Sequence, residues 1–209
     1  RRNLLPSGPL LVIMNFDRVA GFYDHLAKSV FGSQWYQVQT VAARELNQVD
    51  QLLILGGGTG VILEELDHPH ITCVEMSAKM IHQAEKRSTR SEVSFVNTDF
   101  LEWNSEQKFD AIYCPFFLDC FDQKTLNKVI GKLKMLLSSN GELHVVDFQR
   151  GNILQQFVTW NMIIFFKVTS GLKTNSLLNI DEALKKGGFR EGFVKLFLKK
   201  WMFYRKYTQ

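Results

Sequence analysis

A chain of 209 residues with 45% hydrophobic and 22% charged residues has the make-up of one folded domain with a substantial core, which excludes a disordered or fibrous chain. Its formal charge of +4, from 25 Lys and Arg against 21 Asp and Glu, is too mild to argue for nucleic acid, whose binding normally needs a focused basic surface.

The opening RRNLLPSG is too short, and too soon broken by proline and glycine, for a signal peptide. No apolar run approaches the roughly 18 residues that span a bilayer, so the expected compartment is the cytoplasm. Residues 1–50 read as a helical cover rather than a second domain, with Phe16, Val19, Tyr23, Leu26 and Val30 supplying apolar contacts at helical spacing. From Gln51 onward, short β-rich runs alternate with helix-sized segments. QLLILG precedes TGVILEELDHP, and ITCVEM precedes SAKMIHQAEKRST, in which Met76, Met80 and Ile81 face inward. VSFVNT ends before Asp99, and FDAIYC ends before Pro115. QKTLNKVIGKLKMLLSS carries an apolar helical stripe from Leu126 to Leu137 that closes at Asn140-Gly141, and ELHVVDF follows as a strand.

NILQQFVTWNMIIFFKVTSGL predicts an aromatic-rich helix interrupted at Ser170-Gly171. NIDEALKKGGF predicts a short helix capped by Asn179, with Glu182 three residues later and Gly187-Gly188 as the stop. The ending predicts two strands turning at Lys199-Lys200. Basic runs near the C-terminus, LKK ending at Lys186 and KLFLKKWMFYRK, read first as a solvated face, with contact to a membrane surface or nucleic acid as the alternatives. Cys73, Cys114 and Cys120 have no paired ligand spacing and read as small core residues, so neither a metal site nor a disulfide framework is indicated.

The βα alternation is that of an α/β, doubly wound, mostly parallel sheet with helices on both faces, whose ligand crevice opens beyond the C-terminal strand edges. Gly56, Gly58, Gly60, Glu75, Asp99 and the Cys114–Asp119 segment all fall at those edges. A pyrophosphate fingerprint needs its third glycine where this chain has Val61, which disfavours an NAD-dependent oxidoreductase, and the P-loop lysine is also missing. Close backbone approach without a phosphate clamp suits an adenosine-containing cofactor with an amino-acid tail. Glu75 ends the second strand, where two carboxylate oxygens can accept from two ribose hydroxyls; its bland alternative is a cap of the helix that follows. Asp99 can accept from the adenine amine. Met76 and Phe100 can flank the base, although ordinary core packing explains each taken alone.

LGGGTG at 55–60, VEMS at 74–77, NTDF at 97–100, FDAIYCPFFLDCF at 109–121 and GELHVVDF at 141–148 together resemble the successive motifs of the class I S-adenosylmethionine-dependent methyltransferases. The resemblance covers about residues 10–207 and implies a single methyltransferase-like domain over 1–209, with a seven-stranded sheet whose last strand is antiparallel. It also implies S-adenosylmethionine as cofactor, with the glycine turn near the methionyl part, Glu75 on ribose, Asp99 and Phe100 on adenine, Cys114 to Phe116 near the methionine moiety, and Asp119 toward the substrate. One departure is Ile54, where many members place an acidic residue that helps organise the cofactor's amino group. FDRVAGFYDHL at 16–26 resembles the F-D-x-x-A-x-x-Y-D opening of the ubiquinone and menaquinone biosynthesis methyltransferases, which implies a cover in which Tyr23 contacts the cofactor.

Phe116, Phe117, Phe121, Trp160, Ile163, Phe165 and Phe166 favour a small or medium apolar acceptor, aromatic or lipid-like. His25, His144, Tyr23 and Asp147 are the nearest candidates for polar work. His144 reads as structural from its strand alternation, Asp147 as lining the crevice, and no acid/base pair is identifiable. A catalytically inactive adenosyl-ligand-binding or interaction protein is the alternative reading. Protein and nucleic-acid substrates are not indicated, whereas transient contact with a membrane surface is left open.

Overall fold

The computed structural model describes residues 16–172 and 174–209, so readings that fall on residues 1–15 lie outside the described residues. Five strands run parallel: β1 (Leu52–Leu55), β2 (Ile71–Glu75), β3 (Val93–Asn97), β4 (Phe109–Pro115) and β5 (Leu137–Phe148). Two more, β6 (Arg190–Phe197) and β7 (Met202–Thr208), complete a seven-stranded sheet of order β3-β2-β1-β4-β5-β7-β6. β7 is antiparallel to both its neighbours. The central strands are covered on both faces, which is why LLIL is apolar throughout rather than alternating.

Alternate residues divide the core in two. On one face α5 (Gln123–Leu136) and α7 (Ile180–Lys186) pack with Leu53, Leu55, Ile112 and Leu143. On the other, α1 (Tyr23–Phe31), α2 (Gln34–Thr40) and α3 (Ala43–Leu46) pack with Leu52, Ile54, Tyr113 and Val146. Two further helices, α4 (Ala78–Ala84) and α6 (Ile153–Ser170), contact the N-terminal 3-10 turn Phe16–Arg18. Side chains cap the helix starts at the expected kind of residue: Ser77 accepts from Met80 N at 3.1 Å, Asp122 from Thr125 N at 2.8 Å and Asn179 from Glu182 N at 3.2 Å. Such caps contribute about 1 kcal/mol each.

Three local expectations are corrected. The segment after β1 forms only a 3-10 turn, Val61–Glu65, because it is confined between left-handed Gly60 and Pro69. The stripe that was to end at Asn140-Gly141 leaves the helix at Leu136, since Leu137 already pairs with Phe109 in the sheet. Gly141 serves close strand approach instead, a Cβ there lying 2.9 Å from the Phe109 carbonyl oxygen. Residues 16–31 are a turn followed by α1 rather than one helix, and Val30 faces outward.

Candidate active site at the strand ends

Four short segments meet at the C-terminal edge of β1, β2, β3 and β4. Gly56 leaves β1 with φ 64° while its N–H donates to Val74 O at 2.9 Å, turning the backbone over the edge of β2. A Cβ at Gly56 would lie 2.7 Å from Phe117 Cδ2, and one at Gly57 would lie 2.7 Å from Cys73 Sγ. Gly57 was not singled out by the alternate-glycine spacing, because its demand is steric and comes from β2. Gly58, at φ 55°, donates its N–H to Glu75 Oε2 at 3.1 Å.

Gly60 is a correction. It lies outside the lining of the cleft and packs the turn on α4, where a Cβ would meet Ala84 Cβ at 2.7 Å. With φ at 75° as well, Gly60→Ala combines overpacking with an unfavourable backbone. The substitution is expected to lower unfolding free energy by about 1–3 kcal/mol, measurable as a shift in the denaturant midpoint. An unchanged midpoint would show that the turn yields freely.

Glu75 is buried at the end of β2, and each of its oxygens accepts one backbone N–H: Oε2 from Gly58, and Oε1 from Ser77 at 2.8 Å. A carboxylate oxygen has two lone pairs, so each keeps capacity for a second donor. Burial pushes the Glu75 carboxyl upward, while the Ser77 and Gly58 N–H groups oppose that shift by favouring the charged form. Across the cleft edge Asp99 Oδ1 accepts from Leu101 N at 2.8 Å. Asn97 Nδ2 ties down the carbonyls of Glu75 and Met76, at 3.0 and 2.8 Å. Lys132 on α5 holds the following loop by donating to the carbonyls of Phe100, Leu101 and Trp103. Asn97 and Lys132 were invisible in the sequence reading, since their partners are backbone atoms of other elements.

The N-terminal segment supplies more than the two aromatic residues expected of it. Phe16 and Tyr23 line the cleft, while Val19 and Ala20 pack on Met80 of α4. Asp17 Oδ1 accepts from Ser77 Oγ at 2.6 Å and from Lys79 N at 3.2 Å, pinning the segment to the start of α4. Asp24 accepts from Thr59 Oγ1 at 2.6 Å and pairs with Arg87, whose Nε also donates to Thr59 O at 2.9 Å. Both aspartates therefore bind the cover to the glycine turn and its neighbouring helix.

The resulting cleft encloses about 840 Å³, part of it open to solvent. Glu75, Met76, Asp99 and Phe100 line it together with the glycines, as the sequence reading required. Phe116 holds φ 50° just beyond Pro115 and stacks on Trp35, ring centroids 4.5 Å apart. Cys114 is corrected: it is fully buried and faces the α5 core beside Ile112, so alternation along β4 turns it from the cleft. Ile54 is likewise fully buried. The polar lining group that sequence reasoning missed is Gln39, buried on α2 one turn after Trp35. Its Nε2 donates to Trp35 O at 3.4 Å, and its main-chain carbonyl accepts from Tyr113 Oη at 2.6 Å.

A second cavity, about 590 Å³ with the space open to solvent counted in, adjoins the first through Phe16, Tyr23, Phe116 and Cys120, and takes its outer wall from Met162, Ile163 and Phe166 of α6. Asp119 lines it, whereas Asp147 sits fully buried behind, its Oδ2 accepting from Asp119 N at 3.2 Å. The expectation that Asp147 itself lines the crevice is thus corrected. Burial raises both carboxyls. Asp119 is pushed up to about 6, held there partly by the bonds from Cys120 Sγ and Asp147 that favour its charged form; Asp147 lies higher because Asp119's charge adds to its burial. Trp160 is another correction, being 56% exposed on the outer face of α6. His144 is buried, its Nδ1 2.9 Å from Tyr204 Oη, consistent with the structural role expected of it.

Residues 52–141 match a family described as methyltransferase domain. A malonyl-[acyl-carrier protein] O-methyltransferase of Priestia megaterium is 27% identical over 145 residues, covering 68% of this chain and 52% of that protein. This chain therefore spans about half the length of that curated relative. Among solved structures, the mitomycin 7-O-methyltransferase MmcR matches with a TM-score of 0.66 at 15% identity, over 93% of this chain and 60% of that one. The methyltransferase CcbJ of Streptomyces caelestis matches with a TM-score of 0.66 at 15% identity, over 92% and 96%. A complex described as DhpI-SAM-HEP also gives 0.66, at 17% identity over 93% and 94%. At these identities the structural matches speak for the fold.

Proposed function

We propose that this chain is a class I S-adenosylmethionine-dependent methyltransferase that binds S-adenosylmethionine in the strand-end cleft and methylates a hydroxyl group on a small or medium apolar acceptor. The observation that carries the reading is the meeting of Gly56–Gly58, the two-oxygen acceptor Glu75, and Asp99 in one cleft beside a second, mostly apolar cavity bearing Asp119.

The donor set fits the cofactor. Gly56, Gly57 and Gly58 line the cleft with backbone alone, and a Cβ at Gly56 would collide with Phe117 of the cleft wall. Glu75 would accept ribose hydroxyls on the lone pairs its backbone bonds leave over, and the Asp99 carboxylate would accept from the adenine amine, with Met76 and Phe100 lining the same cleft. Gln39 offers a neutral carbonyl acceptor for the cofactor's ammonium, the work that an acid would do in place of Ile54. Bound there, S-adenosylmethionine supplies an electrophilic methyl group whose loss leaves a neutral thioether.

The chain's own part in the reaction is positional and acid–base. The glycine turn and the second cavity hold the two reactants in line, an arrangement that can supply about 7–11 kcal/mol of the barrier reduction. Tyr23, Trp35 and Phe116 wall the junction with rings and exclude water from it. Asp119 accepts the proton that the acceptor hydroxyl loses, while buried Asp147 holds the Asp119 backbone N–H and so fixes where that carboxylate starts. The O-methyltransferase of Priestia megaterium supports an oxygen acceptor.

Calorimetric titration with S-adenosylmethionine, S-adenosylhomocysteine and NAD, followed by turnover on hydroxylated aromatic and acyl acceptors, tests this. Preference for NAD would overturn the cofactor assignment, and tight S-adenosylmethionine binding without turnover would favour an adenosyl-binding protein. Asp24→Asn, which weakens the link from α1 to Thr59 and Arg87, is expected to speed cofactor release several-fold, about 1 kcal/mol for one charge-assisted contact. Stopped-flow dissociation rates report it, and equal rates would show that the cover is held by its apolar contacts alone.

A further inference from the structure

α6 is apolar on both sides. Its inner residues Thr159, Ile163 and Ser170 are buried, while Ile153, Leu154, Phe157, Trp160, Ile164 and Val168 are exposed, Ile153 at 87% and Val168 at 75%. Five of these, at 153, 157, 160, 164 and 168, recur every three or four residues and form one continuous outward stripe. A contiguous apolar face of this kind on a folded chain marks a contact surface. No helix among the described residues is long and apolar enough to cross a membrane.

Charge along the α6 segment itself is one-sided: between Asp147 and Asp181 the sequence has no acidic residue, but it has Arg150 and Lys167. The β6–β7 turn brings two further cations to the first turn of α6. Leu198, Lys199 and Lys200 there hold φ values of 45°, 53° and 71°, a left-handed run without glycine that other elements must enforce. Gln155 Nε2 donates to Leu198 O at 2.9 Å, Gln149 Nε2 to Lys200 O at 2.8 Å, and Leu198 N to Gln34 Oε1 at 2.7 Å. Lys199 and Lys200 are thereby fixed in the open beside Arg150 and the exposed Ile153-Leu154 pair.

We propose that the outer face of α6, with Arg150, Lys199 and Lys200 at its N-terminal end, docks on an anionic phospholipid bilayer, the stripe lying in the interface and the cations on the headgroups. Interfacial helices combine an apolar face carrying Trp, Phe or Leu with flanking Lys and Arg, and the Trp160 ring suits the boundary between acyl chain and headgroup. Docking there would also turn the groove between α1 and α6, lined by Leu26, Val30, Val158 and Phe165 and ending on Tyr23 and Phe166, toward the lipid. The docking itself needs neither cofactor nor acceptor and stands independently of the methyl-transfer reading.

The test is co-sedimentation of the whole chain with vesicles of phosphatidylglycerol and phosphatidylcholine in equal parts, against vesicles of phosphatidylcholine alone, without cofactor or acceptor. Binding to the anionic vesicles, weakened by salt and accompanied by a blue shift of Trp160 emission that Trp160→Phe removes, is the expected result. Each basic residue near an anionic surface strengthens binding roughly five-fold, about 1 kcal/mol, so Lys199→Gln with Lys200→Gln is expected to weaken it roughly 25-fold. Phe157→Ser with Trp160→Ser, both at exposed positions, is expected to abolish it. Failure to bind anionic vesicles, or binding unaffected by both double variants, overturns the proposal. So does a stable dimer in sedimentation velocity that Phe157→Ser with Trp160→Ser dissociates, which assigns the face to a second copy of the chain.

Discussion

Glu75→Ala is expected to weaken S-adenosylmethionine binding by roughly 100-fold or more. Hydrogen bonds to a charged group contribute about 1.5–3 kcal/mol each, and every 1.4 kcal/mol is tenfold in affinity, so losing two ribose contacts reaches that range. The carboxylate also receives the N–H groups of Gly58 and Ser77, and alanine leaves both without this partner at a cost of about 1–3 kcal/mol in stability for a buried group. Glu75→Gln separates the two effects. It keeps the side chain's volume and one oxygen acceptor, so it should fold better than the alanine variant yet still bind the cofactor at least ten-fold more weakly than the parent. Calorimetry on protein verified as folded is the measurement, and an unchanged dissociation constant in both variants would remove ribose recognition from Glu75.

Asp119→Asn is expected to lower turnover by about 100-fold or more while leaving cofactor affinity within a factor of two or three, because positioned general bases contribute roughly 10²–10⁴. The parent's kcat/KM should rise with pH through about 6, where Asp119 loses its proton, and the variant's profile should be flat over that range. A parent profile without that limb, or a variant that keeps it, would assign the proton transfer elsewhere. The same pair gives stability the opposite dependence. Both carboxyls are raised above their unfolded values, so the folded chain binds more protons than the unfolded one as pH rises from about 4. Their contribution to folding is full below that point and is lost as pH passes about 6, with Asp147 extending the loss to higher pH. Melting temperature should therefore fall less between pH 4 and 7 in Asp119→Asn than in the parent.

The sequence by itself determined the alternating α/β order, the antiparallel C-terminal hairpin and the convergence of Gly56, Gly58, Glu75, Asp99 and Phe100, because each is written in local terms: apolar run length, glycine at a turn, and a carboxylate where a strand stops. Asn179 and its partner three residues later were legible for the same reason. Tertiary structure alone decided what depends on approach between distant segments. Gly60 meets Ala84 rather than the cleft, Cys114 faces α5, Gln39 reaches the site from α2, and Asp17 and Asp24 latch the cover through Ser77, Thr59 and Arg87. Asp119 and Asp147 likewise come together only when a loop after β4 folds against the end of β5. Periodicity reports which face of an element is apolar, but steric contact, burial and the charges that shift a carboxyl arise from neighbours that no spacing along the chain encodes.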